Sequence, residues 1–443
     1  MRLPHPVVLL LGAVAAAAAL TWILPSGEFD RRDDAATGRR VVVAGTYHRV
    51  PAAPVGPFAA VVAVPRGIVE AADVIAVVLF VGGAWVIVDR LGTLAAVVGA
   101  LVGRLHGRGL LAIPILSIFF AVMGALENMQ EEIIPLIPVL AVLGRGLGID
   151  PIAVMSMSVG AAMIGSAFGP TNPFQAGIAM KLAQLPPLAG GGLRLAMFIA
   201  AVATWIGWTM RHAARRRVAP ERDPNRPAAG LDGRHAAILA AALLPMAAYV
   251  YGALALNWGF NELAAAFLIG GTVAGFIGRL SVQAIISAFF DGMTSVLPAA
   301  LMVGVARAIS LVMADGHIID TVLNDLASAL SGIPGGASAF LMVPVQALLH
   351  IAVPSVSGQA VLTMPLFVPL ADLLSITRQA PVLAYQTGAG LMEIFTPTNG
   401  ALMAVLLAAG VPYQRWLRFA IAATIVPLLI GLAGIATALW LNL

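Results

Sequence analysis

The sequence predicts an all-α polytopic membrane protein with an inverted-topology repeat, about nine to eleven spans, two re-entrant helical hairpins and two discontinuous helices. Three observations carry that prediction. The 443 residues are 60% hydrophobic and only 10% charged, whereas a water-wetted domain carries about 25% charged residues. The apolar residues run unbroken over helix-length stretches, unlike the strands of an outer-membrane barrel, which alternate apolar and polar residues. Residues 138–172 are also repeated, without a gap, as residues 365–399. Cysteine is absent, which removes disulfides, thiol nucleophiles and Cys-based metal sites together. The net charge of +4 comes from loop arginines, so it reports topology rather than nucleic-acid binding.

Taken in order, residues 7–24 form the first span, read as membrane-resident rather than as a secretory signal because so many apolar segments follow. Residues 25–70 are a polar stretch too mixed in charge to cross. A second span covers 72–88. Residues 92–106 are short, Gly-broken and bounded by Arg90 and Arg104, which predicts an interfacial helix. Residues 109–126 and 133–147 are two limbs around the polar apex ENMQEE. Residues 151–185 are interrupted at FGPTNPF, and 193–210 span again. The second half repeats this recipe: spans at 236–256, 260–280 and 294–313, and an amphipathic interfacial helix at 317–332. Limbs at 335–352 and 360–374 then flank PSVSGQ, 379–411 break at FTPTNG, and a last span covers 417–440.

The segment Arg211 to Arg234 holds seven arginines. By the positive-inside rule it is expected in the cytoplasm, with the N-terminus inside and the C-terminus outside. Arg90, Arg104, Arg108, Arg145, Arg279, Arg415 and Arg418 then share its side. The 25–70 loop, placed outside, carries six arginines and five acids and fits that rule less well.

The duplication gives ten identities in 35 positions, pairing Pro138 with Pro365, Ile149 with Ile376, and Phe168, Pro170, Thr171, Asn172 with Phe395, Pro397, Thr398, Asn399. The apices fall in the same register, Gln130, Glu131 and Glu132 against Ser357, Gly358 and Gln359. The two copies run in opposite directions, the unpaired span near 236–256 supplying the flip. Such repeats let transporters expose a midplane site alternately to either side. At each PTN break proline removes a backbone donor and leaves carbonyls free, while Asn and Thr offer donors and acceptors. Freed carbonyls can hold a cation, and half-helix N-termini suit a carboxylate.

Glu127, Glu131 and Glu132 are the departure from symmetry. A carboxylate at membrane depth costs roughly 3 kcal/mol or more and marks an ion path or a partner. Glu393, three residues before Thr396 in the second break, adds a fourth. Arg307, alone within a span, is expected to pair with an acid, and His350 reads as a packing residue. No HExxH, GxxxxGK[ST] or GxSxG motif is present, so the residues favour a carrier over an enzyme. A passive channel is the other class left open.

The segments GALENMQEEIIPLIP, FGPTNPFQAGIA, VPSVSGQAVLTMPLFVPLADLLSITRQ and FTPTNGALMA resemble the YfcC-like branch of the C4-dicarboxylate anaerobic carrier-like transporters. That branch belongs to the ion transporter superfamily, alongside the divalent anion:sodium symporters. The resemblance covers nearly the whole chain. It implies a scaffold (1–106 and 236–332), a transport domain (107–210 and 333–443), a basic linker (211–235), homodimerisation and elevator-like movement in a bacterial inner membrane. The symporters place Ser-Asn-Thr at both apices. Here the apices read Glu127-Asn128-Met129-Gln130-Glu131-Glu132 and Ser355-Val356-Ser357-Gly358-Gln359, and the three glutamates of the first would repel a dianion unless protonated. The expected activity is secondary active transport of amino-acid-like solutes, basic ones among them, ion-coupled or by exchange; the alternative is a sodium- or proton-coupled C4-dicarboxylate carrier. No cofactor is expected beyond a coupling Na+ or H+. The candidate substrate- or ion-binding residues are Glu127, Asn128, Glu131, Glu132, Gly169, Thr171, Asn172, Ser355, Ser357, Gly358, Gln359, Glu393, Thr396, Thr398 and Asn399, with Asn172 and Asn399 the positions where Na+ would sit.

Overall fold

Helix follows helix along the chain because long apolar runs in a bilayer must satisfy their backbone groups internally. The computed structural model describes residues 6–34, 39–94, 96–97, 100, 109–170, 172–186, 189–220, 232–256 and 258–443. Among the described residues, nine helices are long and apolar enough to cross a membrane.

The first half opens with α1 (Pro6–Ile23), as the hydropathy predicts. The 25–70 stretch is more ordered than its mixed charge suggests. It forms four short strands, β1 (Gly27–Glu28), β2 (Arg31–Asp34), β3 (Arg39–Val42) and β4 (His48–Arg49), and then α2 (Pro57–Glu70). β1 pairs with β4 and β2 with β3, both antiparallel, two short ribbons in an otherwise helical chain. Next come α3 (Ala72–Arg90), α4 (Ala112–Glu127) and α5 (Ile137–Leu147). The predicted interfacial helix at 92–106 lies largely outside the described residues. The discontinuous helix is α6 (Pro151–Phe168), then a break, then a π turn at Pro173–Gly177 running into α7 (Ile178–Leu182). The half ends with α8 (Gly191–Arg215).

The second half comprises α9 (Gly233–Ala255), α10 (Phe260–Ile277), α11 (Val282–Asp315) and the amphipathic α12 (Ile319–Ser331). It closes with α13 (Gly335–Ala352), α14 (Val356–Leu373), α15 (Gln379–Met392), α16 (Gly400–Ala408) and α17 (Tyr413–Leu441). Among the boundaries that differ from the sequence reading, α11 starts at Val282 rather than near 294, and Asp291 within it forms an ion pair with Arg90 of α3. α14 starts at Val356, so Ser357, Gly358 and Gln359 occupy its first turn and only Val353–Ser355 separates it from α13.

Small residues set how closely the helices approach, as in other membrane bundles. Gly82 and Gly83 of α3 lie against Gly292, Val296 and Phe289 of α11, where an added Cβ on Gly292 would fall 2.5 Å from the Gly82 carbonyl. Gly124 of α4 and Gly165 of α6 each press on the other helix's backbone, at Ala162 and Ala121. At the start of α16 a Cβ on Gly400 would fall 2.8 Å from Val303 Cα and 3.0 Å from Ala306 Cβ on α11. The strand segment docks on the start of α12. Arg31 makes a bidentate pair with buried Asp320 at 2.9 and 3.0 Å, and the Phe29 N–H donates to the same carboxylate at 3.0 Å. Gln130 of the first apex, Asn172 of the first break and Thr396, Thr398 and Asn399 of the second are buried in this packing.

Candidate functional site

The second break is held by what surrounds it. α15 ends at Met392, and the chain passes through Glu393–Asn399 before α16 begins with Asn399 as its N-cap, whose side-chain oxygen accepts the Leu402 N–H at 3.0 Å. Trp416 donates to the Ile394 carbonyl at 2.7 Å, and Tyr413 to that of Phe395. Thr396 and Thr398 bond each other at 2.9 Å. Two carbonyls of the break are thus taken by aromatic donors from α17, and that of Glu393, which Pro397 leaves without its helical donor, accepts from Asn399 Nδ2 at 3.4 Å.

The first apex reaches this break. The Gln130 side-chain amide donates to the Glu393 carboxylate, while its carbonyl oxygen accepts from Asn399 Nδ2 at 3.3 Å. Glu393 Oε1 stands 3.6 Å from His350 Nε2. His350 Nδ1 meets Gln359 Oε1 at 2.8 Å, and Gln359 donates onward to the Gln346 carbonyl and side chain, both at 2.7 Å. A continuous polar chain therefore joins α13, the first turn of α14, the second break and the first apex. His350, read from sequence as a packing residue, is buried inside that chain.

The matching break in the first repeat is closed in on itself. Asn172 Nδ2 donates to the Gly124 carbonyl (3.0 Å), Ser166 Oγ (3.1 Å) and Asn128 Oδ1 (3.3 Å). Its oxygen accepts the N–H groups of Phe174 and Gln175, both at 2.9 Å. The carbonyls of Ala167 and Gly169 take the Gln386 amide at 3.3 Å each, and buried Arg194 holds the other end of that amide. Asn128 sits in the left-handed region at φ 59°, a conformation Asn tolerates better than most residues.

A cavity of about 350 Å³ opens beside the second break. Of the predicted residues it gathers Asn128, Glu131, Glu132, Ser355, Ser357, Glu393, Thr398 and Asn399. It does not gather Gly169, Asn172, Gly358, Gln359 or Thr396, which lie in the surrounding frame. Thr171 lies outside the described residues, and of Glu127 only the backbone is described. The equal convergence of both breaks on one site, suggested by symmetry, is thus replaced by a cavity built mainly around the second break. The reason is visible in the repeat: Ser166 of the first copy, which bonds its own Asn172, corresponds to Glu393 of the second, whose carboxylate reaches across to Gln130.

Sequence reasoning missed Glu70, Asp73 and Gln130. Glu70 ends α2 and Asp73 begins α3, with only Ala71 between the helices. Arg307 pairs with Glu70 at 3.0 Å, which supplies the acid expected for it. The signal that would have found these two acids is the one used for the apex, a carboxylate beside an apolar run with no local partner. Five carboxylates, Glu70, Asp73, Glu131, Glu132 and Glu393, line the cavity against one guanidinium, Arg307. The N-termini of α14 and α16 also reach it, through their caps Ser355 and Asn399. The cavity thus combines acidic side chains with helix N-termini, which carry partial positive charge. Among the described residues no cluster of His, Asp and Glu has the arrangement of a metal site.

Comparison with known proteins places these features in context. Residues 3–439 match the family described as C4-dicarboxylate anaerobic carrier. The chain is 31% identical over 487 aligned positions to the "Putative basic amino acid antiporter YfcC" of Escherichia coli (strain K12), covering 98% of this chain and 95% of that one. It is 29% identical over 397 positions to an uncharacterized protein of Haemophilus influenzae, covering 86% and 78%. Among solved structures, MtrF of Neisseria gonorrhoeae, from a class of antimetabolite efflux pumps, aligns over 99% of this chain and 96% of its own at 17% identity and a TM-score of 0.44. The YdaH transporter of Alcanivorax borkumensis aligns over 99% and 98% at 17% identity and 0.43.

Proposed function

Because the chain belongs to the C4-dicarboxylate anaerobic carrier family, whose members are membrane carriers and not enzymes, we propose that it is a secondary active transporter of cationic amino-acid-like solutes. The observation that carries this reading is the cavity wall of five carboxylates against one guanidinium. An ammonium or guanidinium group gains from such a wall, and a dianion is repelled by it, the more strongly where water is partly excluded. The solute's carboxylate then faces the N-termini of α14 and α16, where Ser355, Ser357 and Asn399 stand. A binding pocket of this kind distinguishes the two ends of an amino acid by charge. The name of the Escherichia coli relative, "Putative basic amino acid antiporter YfcC", supports the same choice.

In this reading α4 with α5 and α13 with α14 act as the two re-entrant hairpins of a transport domain. That domain moves against a scaffold containing α3, α10 and α11, in a homodimer in the inner membrane. Exchange, or coupling to H+ or Na+, drives the cycle. A coupling cation is better suited to the second break, near Asn399 and Glu393, than to the first, where Asn172 is fully engaged and Arg194 adds a resident positive charge.

The second reading is a C4-dicarboxylate carrier, favoured by the family description and by the two helix N-termini at the cavity. Counterflow in proteoliposomes with labelled arginine, lysine, aspartate and succinate separates the two. Saturable exchange of arginine or lysine, with succinate inert, supports the cationic reading. Succinate exchange alone, unaffected by Glu131→Gln, overturns it, and linear unsaturable flux would assign a channel.

A further inference from the structure

A second cavity, of about 430 Å³, lies away from the site described above, between the last turns of α8 and the first turns of α17. Five guanidiniums line it, Arg211 and Arg215 from α8, Arg216 at its C-cap, and Arg415 and Arg418 from α17. We propose that this basin binds the phosphate headgroup of an anionic phospholipid.

Three features go beyond a scatter of loop arginines on one membrane face. The five come from segments about two hundred positions apart in sequence and meet in one concavity. Among the described residues, no carboxylate pairs with any of them; the one acid in the lining, Asp150, is engaged by His212 at 3.2 Å. Arg415 and Arg418 also sit on the first turns of a 29-residue helix, where the helix dipole is positive and basic side chains are disfavoured. An anion in the basin relieves both the mutual repulsion and the helix-end conflict. The planar guanidinium fork matches phosphate oxygens in geometry as well as charge.

A lipid, rather than a soluble anion, is indicated by where the basin lies. It opens at the ends of two membrane-length helices, the kind of basic pocket between helices that holds anionic headgroups. Trp208, one turn before Arg211 on α8 and 38% exposed, lines the same cavity and supplies the indole typical of the membrane–water border. Asp150 and Ile152 bring the start of α6 to the basin's edge. A bound headgroup would therefore bridge the first discontinuous helix and the last helix of the chain.

The test uses the purified full-length protein in nanodiscs of phosphatidylglycerol or phosphatidylcholine, with native mass spectrometry of retained lipid. Wild type is expected to keep phosphatidylglycerol adducts and to melt higher in phosphatidylglycerol than in phosphatidylcholine. In Arg215→Gln/Arg415→Gln/Arg418→Gln, retention should fall by about tenfold or more, and the difference in melting should vanish. The single variants Arg415→Gln and Arg418→Gln should lose adducts in graded fashion while melting as wild type does in phosphatidylcholine, so that misfolding is not mistaken for lost binding. Undiminished adducts in folded variants would overturn the proposal. So would full stabilisation by inorganic phosphate alone in phosphatidylcholine, which would assign the basin to a soluble anion.

Discussion

The amide of Gln130 donates to the carboxylate of Glu393 across 263 positions of sequence, joining the first polar apex to the second helix break. Through Asn399, which donates to the same Gln130 side chain, the pair also touches the N-cap of α16. Glu393→Gln preserves shape and removes charge. Its apparent affinity for arginine or lysine is expected to fall by about 10- to 100-fold, the range for a lost charge-assisted hydrogen bond, while the melting temperature changes little. Equilibrium binding and counterflow on the same preparation check this, and unchanged affinity would remove Glu393 from the solute site.

Glu70 and Arg307 form an ion pair in the cavity wall, and both are partly exposed, at 41% and 48% for the side chains. The pair contributes little to stability, about 0–1 kcal/mol, so its removal is readable in transport. Arg307→Gln should make the cavity more acidic and lower KM for a cationic solute by about two- to fivefold, with the effect shrinking as salt rises. Glu70→Gln should do the opposite, and the double variant should return close to wild type. Kinetics at low and high ionic strength distinguish these outcomes.

Gly124 and Gly165 let α4 and α6 meet backbone to backbone. Gly165→Val must push the helices apart at the carbonyl of Ala121. The expected cost is about 1–3 kcal/mol or more, accompanied by loss of transport, because Asn172 draws two of its bonds from Gly124 and Asn128 at the end of α4. Thermal melting in detergent measures the first effect and counterflow the second. A variant that melts normally yet still fails to transport would separate packing from the geometry of the break.

Asp320 anchors the strand segment through Arg31 and the Phe29 N–H. Asp320→Asn should weaken that anchor by about 1–3 kcal/mol and open residues 26–50 to limited proteolysis, with transport largely kept. Cleavage rates at fixed protease concentration report the result.

Much of the architecture was legible because it is written as periodicity and repetition. The duplicated PTN, the shared proline and the polar apices located both breaks and both helix pairs, and α1, α3 and α13 closely follow their hydropathy runs. The strands and α2 were not legible. In residues 25–70, order comes from partners far away in sequence, such as Asp320 for Arg31 and Ser26 bonding the Gly316 carbonyl. Local composition records none of that. The same holds for Glu70 and Asp73, whose place at the cavity depends on α11 bringing Arg307 beside them. The unequal fate of the two breaks was present in the alignment, as Ser166 against Glu393, but symmetry drew attention to what matched rather than to what differed.

The seat of α16 on α11, where Gly400 meets Val303 and Ala306, has one more consequence. A contact made of glycine, alanine and bare backbone has no protruding side chain to act as a detent. If the transport domain travels as proposed, this face behaves as a smooth rail. Where the domain stops is then decided away from this contact, and a single bulky side chain at Ala306 would jam the carriage without dismantling the track.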